Sequence, residues 1–172
     1  MNETLKVIKE RRSCKNYLDK EVSKELLDKI LEAGTFAACG RNAQSPVLVC
    51  VTDRALRDKL AKMNREILGA DKDTFYNAPI VVVVLADSKV PTYVEDGSLA
   101  LGNMMLAATA LGVDNCWIHR ARQMFESSEG IELLKEWGLD ESYKGVGNLI
   151  LGYKASDPVA RKPRKENYII YK

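Results

Sequence analysis

Arg11-Arg12-Ser13-Cys14-Lys15 places three cations and a hydroxyl within five residues. Like charges at that spacing repel unless an anion lies between them. A phosphate dianion suits the set, because Arg offers a planar fork of donors and Lys a mobile point charge. Taken alone, such a run reads as solvated surface. A second segment, Cys39-Gly40-Arg41-Asn42-Ala43-Gln44-Ser45-Pro46, brings two carboxamides. Each carries a donor and an acceptor and can read a heterocycle edge of mixed polarity, such as a flavin pyrimidine ring. Its plain alternative is a helix-to-strand turn. Lys162-Pro163-Arg164 follows Leu151-Gly152-Tyr153, and the proline holds the two cations apart as if on two sides of one phosphate. Finally, Cys116-Trp117-Ile118-His119-Arg120 closes an expected strand at the end where sheet proteins often hold ligands.

Several chemistries find no footing. The chain has no P-loop, GxGxxG, HExxH or GxSxG pattern. His119 is the only histidine, with no carboxylate or nucleophile spaced to make it a base. Four cysteines lack CxxC spacing, so they read as cytosolic thiols rather than a disulfide frame or zinc site, and no metal is expected. Glu95 and Asp96 are adjacent, hence on different sides of a helix; one of them is expected to serve the helix N-terminus through its dipole.

The elements that must carry these segments alternate. Leu5, Val7 and Ile8 suggest a first helix ending near Arg12. Ser23 caps a second, with Leu26, Leu27, Ile30 and Leu31 as its stripe. Val47–Val51 reads as a buried strand, and Asp53 caps a helix carrying Leu56, Leu60, Met63 and Ile67. Ile80–Leu85 is apolar on both faces and therefore central. Glu95–Leu111 is small and apolar almost all round, which predicts a buried helix ended by Gly112. Val113–Ile118 is an expected strand, Ser127 or Ser128 starts a helix closed by Gly138, and Gly145–Tyr153 is the last strand. This pattern predicts an α+β chain with α/β-like alternation. The remaining tail ends in Asn167-Tyr168-Ile169-Ile170-Tyr171, apolar enough to pack on its own subunit or, preferably, to dock on a partner.

At 172 residues, 46% hydrophobic and 29% charged, the chain is expected to form one soluble domain, residues 1–172. The longest apolar run, residues 78–86, is too short to cross a bilayer. Residues 1–9 are charged, with no apolar h-region, so a cytoplasmic location without membrane contact is expected. Net charge is +2, with basic ends on an acidic middle. That asymmetry fits an anion site built from both termini or a nucleic-acid-binding module. The acidic middle, the interrupting Pro163 and the lack of RRM, KH or helix-turn-helix patterns argue against nucleic acid.

Taken in order, RRSxK after the first helix, the GRNxQ loop, the Ala-rich helix opening at Glu95-Asp96-Gly97, the CWI strand, LGY and the terminal KPR resemble a short member of the nitroreductase family. The resemblance implies a mixed central β-sheet flanked by helices, in an intertwined homodimer with C-terminal strand exchange. It implies FMN as cofactor and NADH or NADPH as donor. Arg11, Arg12 and Ser13 would take the FMN phosphate and ribityl chain. Lys15 would lie near flavin N1 and O2 and act in catalysis as counter-charge to the reduced ring. Ala38, Cys39, Gly40 and Asn42, with Gln44 close by, would contact the flavin held mainly by the other subunit. The backbone at Ile118, His119 and Arg120 would lie near N5, with Lys162 and Arg164 closing on the phosphate. Cys39, Ala38 and Ser45 stand where the family often has Ser, Pro and Pro, so the loop's hydrogen bonds are its own. The stretch from Leu85 to Glu95 has no room for the extra helices that shape a substrate lid in longer members. The implied activity is ping-pong hydride transfer from NAD(P)H to a nitroaromatic, quinone or similar small acceptor. A specialised dehalogenation or metabolite dehydrogenation is the alternative within the family.

Overall fold

The computed structural model describes residues 2–172; Met1, at the head of the expected N-terminal helical stretch, lies outside the described residues. In chain order the elements are α1 (Glu3–Glu10), α2 (Lys24–Thr35), β1 (Pro46–Val51), α3 (Arg54–Leu68), β2 (Ile80–Asp87), α4 (Tyr93–Ala110), β3 (Asp114–Ile118), α5 (Ala121–Glu126), α6 (Ser128–Glu136) and β4 (Tyr143–Gly152). The helix starts are chemical. Asn2, Ser23, Asp53 and Ser127 each accept a backbone N–H from the first turn they precede. Gly112, at φ +73°, supplies the left-handed residue that ends α4.

The four strands form one sheet in the order β1-β2-β4-β3, with every neighbouring pair antiparallel. Among the described residues, the mixed character implied by the resemblance is confined to one parallel bridge between Ser13 and Asn115. β2 is central, as its two-faced apolarity requires. Val81, Val83 and Leu85 pack with Leu60, Met63, Met124, Phe125 and Leu133 on one face. Ile80, Val82 and Val84 pack with Leu27, Ile30, Leu101 and Met104 on the other. Each such side chain contributes about 1.5–3 kcal/mol on burial, so this strand fixes the sheet from which the loops project.

Two expectations, a buried β1 and an α4 buried all round, need correction. β1 is an edge strand, and only Val51 is fully buried. α4 buries one face through Ala100, Leu101, Met104 and Ala108, while Leu99 on the other and Val94 in the first turn remain exposed. The short helix α5 has no apolar repeat long enough to be read in advance. α1 buries none of its residues, with Leu5 and Ile8 about half exposed. The tail stays on the surface, and Val159, Tyr168, Ile169, Ile170 and Tyr171 are all exposed.

Candidate active site

Beyond Arg11, which caps α1, the chain runs extended along the end of the sheet. Cys14 N–H donates to Asn115 O at 2.9 Å, and Leu18 N–H donates to Tyr153 O at 2.8 Å. Cys14 and Tyr17 turn inward and are buried. Arg11, Arg12, Ser13 and Lys15 line a cavity of about 450 Å³ with Arg161 and Arg164 from the tail. The tail is tied there from both sides. The Arg12 guanidinium donates to Val159 O, and Arg161 Nη2 donates to Arg11 O at 3.0 Å. Desolvation, then the like charges of Arg12, Arg164 and Arg11, pull the Arg161 guanidinium below its ordinary pKa. Asp157 is the sole carboxylate on the lining. Five cations against one carboxylate fit a ligand that brings its own negative charge. Lys162 does not line this cavity; Arg161, which the sequence reading passed over, does. Lys15 Nζ stands 5.7 Å from the centre of the Tyr76 ring, a cation–π contact to the loop between α3 and β2.

The carboxamide loop lies elsewhere. A single 3-10 turn, Gly40–Asn42, joins α2 to β1. Arg41, Asn42 and Gln44 all take positive φ, at 53°, 54° and 49°. That conformation costs a non-glycine residue roughly 1–2 kcal/mol, so something must enforce it. Asp96, in the first turn of α4 and 2% exposed, supplies the force. Its carboxylate accepts from Gly40 N–H at 2.9 Å, Ser45 Oγ at 2.8 Å and Thr92 Oγ1 at 3.2 Å. Burial alone would push the carboxyl up; those three donors outweigh it and hold its pKa below the ordinary value. Gly40 is required by contact, since a Cβ there would lie 2.3 Å from Thr92 Oγ1. Ala38, Cys39, Gln44 and Asp96 line a second cavity of about 170 Å³. None of the loop's residues lines the cationic cavity.

The third expected segment ends β3. Ile118 is buried and His119 exposed; Arg120 holds φ +76° as it enters α5. Its Nε donates to Oδ1 of Asn64, a fully buried residue of α3 that belongs to none of the motifs singled out in the sequence. No group of three or more His, Cys, Asp or Glu among the described residues could hold a metal ion.

The Nitroreductase family profile matches residues 8–153. The chain belongs to the nitroreductase family. A Bacteroides fragilis nitroreductase crystallised with bound FMN is 29% identical, with a TM-score of 0.91 over 99% of each chain. A Desulfitobacterium hafniense nitroreductase, also with bound FMN, is 28% identical, with a TM-score of 0.87 over 100% of each. The Bacillus subtilis protein named FMN reductase [NAD(P)H] is 27% identical over 186 aligned positions, covering 95% of this chain and 70% of that one. The nitroreductase match stops at Tyr153, short of Arg161 and Arg164, whereas the Bacteroides likeness runs through the tail.

Proposed function

We propose that this nitroreductase-family chain is an FMN-dependent NAD(P)H oxidoreductase that works as a homodimer in the cytoplasm. The observation that carries the reading is the convergence of Arg11, Arg12, Lys15, Arg161 and Arg164 with Ser13 on one cavity, against a single carboxylate. Bound FMN would supply two-electron redox chemistry between NAD(P)H and an acceptor, in ping-pong order. The chain's own residues bind and tune. Arg11, Arg12, Arg161 and Arg164 neutralise the phosphate, and Ser13 offers a hydroxyl beside it. Lys15, steadied against Tyr76, offers a positive charge where negative charge develops on reduction. The backbone at Ile118, His119 and Arg120 would lie toward the N5 edge. Ala38, Cys39, Gly40, Asn42 and Gln44 would contact the ring from the second subunit, and Lys162 would add positive charge near the phosphate from outside the cavity. The acceptor is a nitroaromatic, quinone or similar small molecule.

What one chain leaves open supports the dimer. The β1 edge, the outer face of α4, the apolar side of α1 and the apolar tail are all uncovered. The carboxamide loop and the cationic cavity share no lining residue, as expected if each completes the other's site across an interface. Among the described residues no helix is long and apolar enough to cross a membrane, and all four cysteines are free, which suits a reducing compartment. The test is anaerobic mixing of the purified protein with NADH and with NADPH, followed by an acceptor screen. A yellow protein bleached by either nucleotide and recoloured by a quinone or nitroaromatic supports the reading. A colourless protein that takes up no added FMN refutes it.

A further inference from the structure

Two fully buried asparagines, Asn64 on α3 and Asn148 on β4, both reach Met124 Sδ and the turn that ends β3. Asn64 Nδ2 donates to His119 O at 2.7 Å and approaches Met124 Sδ at 3.3 Å, while its Oδ1 accepts from Arg120 Nε at 3.2 Å. Asn148 Nδ2 lies 3.5 Å from both Ile118 O and Met124 Sδ, and its Oδ1 has no partner. Burying a carboxamide is unfavourable unless its hydrogen bonds are replaced. Holding Arg120 left-handed is unfavourable as well, and such strain concentrates where a backbone must be presented in one orientation.

The consequence lies in the peptide planes. The peptide bonds are trans, so each carbonyl and the following N–H point in opposite directions. With His119 O drawn inward to Asn64, the Arg120 N–H is turned outward; with Ile118 O facing Asn148, so is the His119 N–H. Neither N–H has a partner among the described residues. Oxidised flavin N5 is a lone-pair acceptor and needs a donor of this kind.

We infer that Asn64 is the positioning residue of this turn: it fixes the His119–Arg120 peptide so that its N–H meets flavin N5. The inference rests on the function proposed above and adds to it a residue of α3 that touches neither cofactor nor substrate. Asn148 supports the preceding peptide in the same sense.

The test uses protein loaded with FMN labelled with ¹⁵N at N5. In the wild-type protein the N5 resonance should carry the shift of a hydrogen-bonded nitrogen. Asn64→Leu should move it toward the value of FMN in aprotic solvent and slow reduction by NAD(P)H about ten- to hundredfold. FMN affinity should change by less than about threefold, because the phosphate site is untouched. A role in stability alone would lower the melting temperature and leave the N5 shift and the reduction rate where they were. If Asn64→Leu does not fold, Asn64→Leu/Arg120→Gly carries the test, since glycine adopts the left-handed conformation freely while the peptide stays unheld. Either variant keeping the wild-type N5 shift and reduction rate overturns the inference, as does a wild-type N5 without a hydrogen bond. A wild-type protein that binds no FMN refutes instead the reading of the site itself.

Discussion

Removing the Asp96 carboxylate should open the Gly40–Gln44 loop, and the structure sets the scale. Asp96→Ala leaves Gly40 N–H and the Ser45 hydroxyl, itself 5% exposed, without their acceptor. An unpaired buried donor costs about 1–3 kcal/mol, so the two together forfeit about 3 kcal/mol. Against this stands the strain of Arg41 and Gln44 at positive φ, roughly 1–2 kcal/mol each, with Asn42 adding little because asparagine tolerates that region. The two quantities are comparable, so without the carboxylate the closed loop has little advantage over an open one. Arg41 provides the reporter, because trypsin cleaves after it only when the loop opens. At about 1.4 kcal/mol per decade, 3 kcal/mol corresponds to cleavage about a hundredfold faster while reclosing outpaces cutting. Asp96→Asn keeps the shape with a weaker acceptor and should fall between. Sign matters in the pH dependence. The carboxyl is held below its ordinary 3.8, so the clamp is fully present above that value and is lost as pH falls through the lowered pKa. Acid should therefore accelerate loop opening in the wild-type protein and not in Asp96→Ala, as followed by hydrogen exchange of residues 39–45. Wild-type cleavage at Arg41 in Asp96→Ala would refute the reasoning.

Other perturbations separate the remaining roles. Lys15→Ala should slow flavin reduction about ten- to hundredfold in stopped-flow while FMN affinity falls less; a change in affinity alone would count against its charge-stabilising role. Arg161→Ala should weaken FMN binding about tenfold by fluorescence titration and Lys162→Ala by less, since only Arg161 lines the cavity and holds Arg11 O. Deleting residues 163–172 should release FMN and weaken the dimer together; a yellow, intact dimer by sedimentation would contradict a shared tail. Arg57 is 2% exposed and holds Asp73 at 2.6 Å and Ala78 O at 2.8 Å, bracing the loop that carries Tyr76. Arg57→Ala should cost about 3 kcal/mol in urea unfolding, because it removes the cation from a half-buried carboxylate that then keeps only the N–H groups of Phe75 and Asn77.

Strong local signals carried the fold. The apolar run of β2, the caps Ser23 and Asp53, and Gly112 and Gly138 at helix ends are written in residue type, and each stands where its chemistry requires. The basic cluster at Arg11–Lys15 was legible for the same reason. Signals failed where the deciding partner was remote or absent from the chain's own interior. The β1 segment is as apolar as a central strand, yet it lies at an edge, and its composition does not distinguish a face covered by its own helices from one left for a second chain. The same ambiguity made α4 read as buried all round. Of the tail's cations, KPR spacing drew attention to Lys162, while the curl that brings Arg161 onto Arg11 depends on a contact 150 residues away.

The positions that could not be read share one physical form. Asp96 reaches back 56 residues to Gly40, and Asn64 reaches forward 55 residues to His119. Asn64 falls on the apolar face of α3, where by sequence alone it reads as an interruption of the stripe. Asp96 was expected to serve the start of α4, and its reach to Gly40 and Ser45 is what the sequence does not show. Each meets a loop whose non-glycine residues sit at positive φ. A short loop of Arg, Asn and Gln cannot hold that conformation by its own propensities, so the enforcement has to come from a rigid element with a buried, directional group. A carboxylate suits a loop that presents N–H and hydroxyl donors, as at Gly40 and Ser45. A carboxamide suits a turn that presents both a carbonyl and a guanidinium, as at His119 and Arg120. The choice of Asp on α4 and Asn on α3 thus follows from which backbone groups each wall must turn away from the site, and the swap Asp96→Asn tests that rule directly.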